Sequence, residues 1–257
     1  MAIIAMTSLT GCPGGKPEPQ PEPQPEPKDL VVVTQTDSIS GTHEENSAYS
    51  ASITLDAPVE GPQALLDAVM ALANDELYAF CEFCAHFDED IASFSKEEMY
   101  TKDGAQLLTH YMEKYRPLIQ DSVWNVFDRT LAMEAQTDLF VTYGVEHFHC
   151  GASCGSEKYF YTFDKKDGHL IGDVISHENL VRFFEEHPEC ATIEKSEENL
   201  GWTFNPEDEY ENTQFGLLAD SFILVIEGVS NQYIVSKIPY DLISSYLSPE
   251  AQALVKK

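Results

Sequence analysis

The chain has 257 residues and a formal net charge of -29, because 44 Asp and Glu residues stand against only 15 Lys and Arg. Its apolar content of 43% is that of a globular protein and is too high for a chain that is disordered throughout. The acidic balance excludes a nucleic-acid-binding protein that works through a basic surface, since phosphate backbones are bound by Lys and Arg.

Residues 1–12, MAIIAMTSLTGC, have the pattern of a truncated lipoprotein signal. The apolar run ends in Leu-Thr-Gly-Cys, which resembles a bacterial lipobox, and we expect the thiol of Cys12 to carry a diacylglyceryl group. A secretion signal also has Lys or Arg before its apolar run. None stands there, so we expect the precursor to begin upstream of Met1.

Residues 13–28 form a Pro-rich linker, and half of the chain's 14 prolines fall within residues 1–28. Proline lacks a backbone N–H and fixes φ, so this alternation of Pro with Glu or Gln favours solvated polyproline II. At about 3.1 Å per residue, twelve such residues span roughly 35–40 Å. The linker is therefore predicted to be a semi-rigid stalk that holds a folded domain away from a membrane.

Residues 29–120 are predicted to form an N-terminal α+β half. β-branched and alternating residues indicate strands at 30–35 and 49–55. Apolar residues at spacings of three and four predict a long helix that begins at Pro62 and runs to Phe80. The same periodicity predicts a second helix over residues 104–115.

Residues 121–257 are predicted to form an antiparallel-sheet half. The predicted strands are 122–135, 139–148, 158–163, the short 169–172, and a closing meander of 215–218, 221–227 and 233–237. Helices are predicted from Ser176 onward and in the C-terminal tail after Pro239 and Pro249. Because helices precede the sheet rather than alternating with its strands, we expect an α+β fold, with helices packed on an antiparallel sheet. The two halves make either a single compact domain or two intertwined ones.

Two pairs of cysteines stand close together in sequence. The disulfide or metal candidates are Cys81, Cys84, Cys150, Cys154 and His149. Outside the cytoplasm, paired cysteines usually form disulfides, which is the interpretation we favour. Four thiolates, with a histidine as an alternate ligand, would instead suit tetrahedral zinc, and redox-active thiols are the third interpretation.

His147 and His149 flank Phe148 on a predicted strand and therefore share one of its faces. Two imidazoles on one face can begin a metal site. We favour the interpretation that the two imidazoles lie on the solvated face of a half-buried strand.

The segment QTDLFVTYGVEHFHCGASCGSEKYFYTF, residues 136–163, resembles the C-terminal domain of RsiV-type proteins. That family has a strand, a Gly-rich turn, a strand that ends in Phe-Asp, and then a Gly turn. The matching residues are Gly151, Ala152 and Gly155 in the first turn, then Phe163, Asp164 and Gly168. Ile238-Pro239-Tyr240 is similar to the family's closing motif, and Cys150 and Ser153 depart from the Gly and His of its turn.

The resemblance implies a bacterial lipoprotein whose domain has no established biochemical activity and whose N-terminal half is of PdaC type. It also implies a surface able to recognise lysozyme, a strongly basic secreted enzyme.

We therefore expect a lipid-anchored binding domain of the bacterial cell envelope, periplasmic or surface-exposed, that is not an enzyme and binds no nucleic acid. Its expected partners are the bilayer, through acylated Cys12, and a basic wall-active protein such as lysozyme. No cofactor is expected, with zinc as the alternative. The alternative functions are an enzyme acting on wall polysaccharide and a redox or metal-handling lipoprotein that uses the cysteine cluster.

The lipobox interpretation predicts that the chain, expressed behind an intact upstream signal, partitions into the detergent phase. The reason is that acyl chains contribute roughly 0.8 kcal/mol per buried methylene to membrane binding. The matched variant Cys12→Ser should stay in the aqueous phase and lack the mass of a lipid in mass spectrometry. Equal partitioning of the two forms would contradict the lipobox interpretation.

Overall fold

The computed structural model describes residues 29–42, 48–85, 94–119, 126–150, 154–191, 204–227 and 233–256. Cys12 and the Pro-rich linker lie outside this part of the chain, as do Gly151 and Ala152. No helix within the described ranges is long and apolar enough to cross a bilayer.

Two β-sheets and a set of helices make up the described fold. The five-stranded sheet has the spatial order β1 (Val31–Thr42), β2 (Ala48–Glu60), β3 (Val126–Gln136), β4 (Phe140–Cys150) and β5 (Cys154–Asp164). The three-stranded sheet has the order β6 (Thr213–Leu217), β7 (Ser221–Glu227) and β8 (Tyr233–Pro239). The α-helices are α1 (Gln63–Ala85), α2 (Lys96–Met99), α3 (Leu107–Ile119), α4 (His177–Glu186), α5 (Pro206–Glu209), α6 (Tyr240–Ile243) and α7 (Pro249–Val255). The predicted α+β class is confirmed.

The five-stranded sheet contains one parallel pair, β2 with β3, which the sequence interpretation did not anticipate. Parallel neighbours need a crossover connection, and here the chain between β2 and β3 carries α1, α2 and α3. The other described neighbours are antiparallel, as expected. This pairing also joins residues on both sides of position 120, so the strands of the two predicted halves share one sheet.

The first apolar core fills the space between the helices α1 and α3 and one face of the five-stranded sheet. Its α1 residues recur at spacings of three and four, as predicted: Leu65, Val69, Ala73, Leu77 and Phe80. Its strand residues alternate along the chain, among them Ile53, Leu55, Phe127, Leu131, Tyr143, Val145 and Phe163. Full burial of each such side chain contributes about 1.5–3 kcal/mol to folding.

The second core lies on the opposite face of the same sheet. Strand alternation directs Phe140 away from the first core, and it packs with residues from the three-stranded sheet, α4 and α7, including Leu180, Phe183, Phe222, Leu224 and Leu254. The buried hydroxyls of Thr142 and Thr162 hydrogen-bond to each other on this face, 2.9 Å apart. The five-stranded sheet is therefore the common wall of both cores.

The turn after β5 depends on Gly168. Its φ is +72°, a conformation that disfavours any residue with a Cβ. A Cβ there would lie 2.4 Å from the backbone oxygen of Ala64 in α1. The carboxylate of Asp164 accepts a hydrogen bond from the Lys166 backbone N–H and closes the turn. These two residues of the RsiV-like motif thus shape a turn that rests on the start of α1.

The predicted short strand at 169–172 is wrong. Leu170 forms only an isolated bridge with Phe163. The Ile171 N–H donates to Thr162 O at 2.8 Å, and the Asp164 N–H donates to His169 O at 2.9 Å. The segment therefore covers the end of the β5 edge without continuing as a strand.

The first described residues are fastened to the sheet by a buried lysine. The ammonium group of Lys165, whose side chain is 1% exposed, donates to Asp29 Oδ1 at 2.7 Å and to Thr137 O at 2.9 Å. The Leu30 N–H donates to Gln136 Oε1 at 2.8 Å, and Leu30 itself is buried. The point where the predicted stalk meets the domain is thus held in place on two sides.

Candidate functional site

A disulfide joins Cys150, the last residue of β4, to Cys154, the first residue of β5. It closes the hairpin whose turn resembles the RsiV-type motif. The favoured disulfide interpretation agrees with this bond, whose partners the sequence did not assign. Sulfurs bonded to each other are not thiolates, so the arrangement removes two of the four proposed zinc ligands.

The other cysteine pair is only partly described. Cys81 is buried in α1, whereas the side chain of Cys84 lies outside the described residues, so their role as disulfide or metal candidates stays a prediction. Among the residues whose positions are described, no group of three or more His, Cys, Asp and Glu is arranged to hold a metal ion.

His149 packs on the disulfide-closed hairpin. It lies directly opposite Gly155 in the β4–β5 register. A Cβ on Gly155 would lie 2.5 Å from Cε1 of the imidazole. The glycine of the RsiV-like motif therefore makes room for the ring of His149.

His147 faces the helices and not the solvent. It shares a strand face with His149, as predicted, but its side chain is only 18% exposed and lies beneath α1. The expectation of a solvated face is therefore wrong for His147. The reason is that α1 covers this face of the sheet and places Glu76 against β3 and β4.

Arg129 and Glu76 form the centre of this buried polar cluster. The guanidinium of Arg129 donates from Nη1 to the backbone oxygen of Glu76 at 2.6 Å, and its Nη2 lies 3.3 Å from Glu76 Oε2. His147 Nδ1 lies 3.3 Å from Arg129 Nη2, and His147 Nε2 lies 3.5 Å from Glu76 Oε2. One buried cation thus ties the middle of α1 to the neighbouring strands β3 and β4.

Two tyrosines of β5 extend the cluster. The Tyr161 hydroxyl donates to Glu76 Oε1 at 3.5 Å, and the Tyr159 hydroxyl donates to Glu157 Oε2 at 2.7 Å. Burial, followed by the charge of Glu76, raises the pKa of Tyr161. Burial and the hydrogen bond to Glu157 raise the pKa of Tyr159 to about 12. Both hydroxyls are therefore neutral donors at neutral pH, and they satisfy carboxylates instead of acting as bases.

The outer surface of the described part is strongly acidic, with exposed Asp and Glu far outnumbering exposed Lys and Arg. Five of the eleven described Lys and Arg residues form ion pairs within the chain. These pairs are Lys96 with Asp75, Arg116 with Asp37, Arg129 with Glu76, Lys158 with Glu134, and Lys165 with Asp29. The remaining carboxylates are left to face the solvent.

Two grooves open on this acidic surface. A groove of about 170 Å³ separates the edge of β5 from the approach to β6, and it is lined by Ser156, Glu157, Lys158, Tyr159, Glu211 and Gln214 among others. A wider and shallower depression of about 470 Å³ lies between α4 and α5, with Glu178, Glu185 and Glu207 around Arg182. The first groove differs from the second because a sheet edge forms one of its walls.

The sequence interpretation missed both Arg129 and Glu76, although one signal for Arg129 was present. Alternation along β3 places Arg129 on the same face as Phe127 and Leu131, which are core residues. An arginine directed into a core needs a carboxylate partner. Its identity, Glu76, follows only from the crossover that lays α1 over β3.

Comparison with family models gives no match to the chain, and comparison with curated proteins gives none either. Among solved structures, the chain is similar to a DUF3298 family protein from Pseudomonas aeruginosa PAO1, with 11% identity and a TM-score of 0.48 over 87% of this chain and 97% of that one. A member of the same family from Bacteroides fragilis NCTC 9343 has 13% identity and a TM-score of 0.47, over 89% of this chain and 100% of that one. The resemblance to RsiV-type domains stays a prediction.

The buried cluster predicts that Arg129→Met lowers the free energy of unfolding by about 3–5 kcal/mol, since it leaves the Glu76 carboxylate buried without its cation. Urea unfolding followed by circular dichroism measures the change. If that variant does not fold, the double variant Glu76→Leu/Arg129→Met should regain most of the loss, because it removes the uncompensated charge.

The matched control is Arg116→Met. Arg116 also pairs with an acid, Asp37, but its side chain is 43% exposed, and a surface pair contributes only about 0–1 kcal/mol. Equal losses for the two single variants would show that burial of the Arg129 pair has no special importance.

Proposed function

We propose that the chain is a lipid-anchored, extracytoplasmic binding domain that recognises a basic protein. The observation that carries the proposal is the uncompensated acidic surface. The net charge is -29, and five of the eleven described Lys and Arg residues are already paired with acids of the same chain.

Such a surface favours cationic partners for a physical reason. Like charges spread over one face sum to a field that attracts a cationic protein and raises its association rate. At 0.15 M salt the Debye length is about 8 Å, so long-range attraction is screened while direct contacts persist. A specific complex should therefore weaken with salt without disappearing.

The proposed location outside the cytoplasm has two supports of different kinds. The segment around Cys12 resembles a lipobox and is followed by a Pro-rich stalk. The Cys150–Cys154 disulfide suits an oxidising compartment, because cytoplasmic thiols are kept reduced. The ion pair between Lys165 and Asp29 would hold the end of that stalk at a fixed point on the domain.

Lysozyme is the proposed partner to test first. It is strongly basic and acts on the bacterial wall, where a lipid-anchored domain would meet it. The resemblance to RsiV-type domains, carried in part by Gly155, Phe163, Asp164 and Gly168, implies the same partner. In this chain these four residues shape the hairpin and the turn that flank β5.

The test is isothermal titration calorimetry of the full chain carrying Cys12→Ser, which keeps it free of lipid, with lysozyme at low and physiological salt. We expect binding under both conditions, with an affinity on the order of tenfold lower at the higher salt. Lysozyme whose lysines are acetylated is the matched control, because it keeps the fold and loses charge. Its binding should be lost.

Absence of binding at both salt concentrations would overturn lysozyme as the partner. Binding that vanishes at physiological salt would reduce the interaction to nonspecific charge attraction. Equal binding of acetylated lysozyme would contradict charge as its basis.

A further inference from the structure

The outer edge of β5 is covered for only part of its length. At its C-terminal end, the segment around Leu170 covers it. There the Ile171 N–H donates to Thr162 O, and the Asp164 N–H donates to His169 O. These two bonds show in which direction the backbone groups of each β5 residue point. The even-numbered residues of β5 direct their backbone N–H and C=O groups away from β4.

The same alternation makes the backbone of Ser156, Lys158 and Phe160 face outward. Within the described ranges, no backbone group pairs with these three residues. Ser156 and Lys158 line the groove of about 170 Å³ whose other wall comes from Glu211, Gln214 and Val225. An edge with unpaired backbone groups is a template for another strand.

The shape of the groove limits the length of such a strand. A Cβ on Gly216 of β6 would lie 2.7 Å from the ring of Phe160, so β6 rests on that ring and closes the groove there. The open edge thus runs from the disulfide-closed end of β5 to Phe160. At about 3.3 Å per residue, it accommodates roughly four residues of an extended segment.

The charges around this edge select a cationic segment. Glu211 is exposed, and the side chain of Glu157 is 55% exposed. Lys158 is the one basic residue among those that line the described groove, and its ammonium is held 2.9 Å from Glu134 and 3.8 Å from Glu146. Carboxylates therefore remain available to a Lys or Arg of the incoming strand.

From this geometry we infer that the open edge of β5 is the docking site for the basic partner. A short extended segment of that partner adds to β5 as a further strand. Its backbone pairs with Ser156 and Lys158, while its cationic side chains contact Glu157 and Glu211. The inference rests on the proposed function and assigns it a site and a mode of recognition.

The first arm of the test needs no variant. The probe is the synthetic peptide acetyl-Thr-Lys-Val-Lys-Thr-amide, titrated into the full chain carrying Cys12→Ser and followed by NMR. The control peptide has the same sequence and charge but carries N-methyl groups on alternate amides, which block strand pairing. We expect the unmethylated peptide to bind at least about tenfold more tightly, since two or more backbone hydrogen bonds depend on those amides.

The second arm uses Ser156→Pro with both the peptide and lysozyme. The Ser156 N–H faces away from β4, so proline at this edge position leaves the β4–β5 pairing intact and removes only the outward donor. Affinity for both probes should fall by about tenfold or more. Thr36→Pro in the other edge strand, β1, is the matched control. The Ser38 N–H donates to Asp37 Oδ1, and the Ser38 backbone oxygen accepts from Arg116, so both groups point away from β2. By strand alternation, the backbone groups of Thr36 also point away from β2.

The outcomes separate the site from the proposed function. Lysozyme binding that is the same for the Ser156→Pro chain and for the Thr36→Pro control would overturn the β5 site and leave the proposed function standing. Peptide binding that depends on the free amides, without any binding of lysozyme, would support the site and overturn the partner. Equal binding of the two peptides, or none of either, would overturn the site even if Ser156→Pro failed to fold.

Discussion

The burial of Arg129 against Glu76 is the interaction on which the arrangement of the first core depends. A buried cation is tolerated only when a carboxylate and hydrogen bonds compensate for its lost hydration. Here the carboxylate comes from α1 and the cation from β3, so the pair fixes how the helix lies across the sheet. That placement buries His147 and directs Tyr161 toward the helix. The cluster of Glu76, Arg129 and His147 therefore has a structural role, because it holds α1 against β3 and β4.

Chain periodicity was sufficient to predict the class of the fold and most of its elements. The helix that begins near Pro62 and the hairpins after residue 120 are present because their apolar residues recur at the spacing of a helix face or a strand face. β1 was predicted to end at residue 35, yet it continues to Thr42, because pairing with β2 stabilises a polar stretch that has little strand signal of its own. The parallel β2–β3 pair could not be predicted, since local patterning carries no information about the direction of a neighbouring strand.

The candidate site likewise contains some features that the sequence predicts and others that it does not. The expected oxidising compartment favoured disulfides, but only the β4–β5 hairpin shows that Cys150 pairs with Cys154. The two motif glycines are explained by contacts that no local pattern reveals, Gly155 beneath an imidazole and Gly168 against α1. The groove was unpredictable for a related reason, because its second wall comes from Glu211, Gln214 and Val225, which are far from β5 in the sequence.

Stability and recognition are therefore assigned to different parts of one sheet, the buried face under α1 and the open edge of β5. The most direct measurement is hydrogen–deuterium exchange of the full Cys12→Ser chain with and without lysozyme. We expect the backbone amides of Ser156 and Lys158 to exchange rapidly in the free chain and slowly in the complex, while the amides of α1 and β3 keep their protection. Slower exchange confined to α4 and α5, with no change along β5, would contradict this expectation.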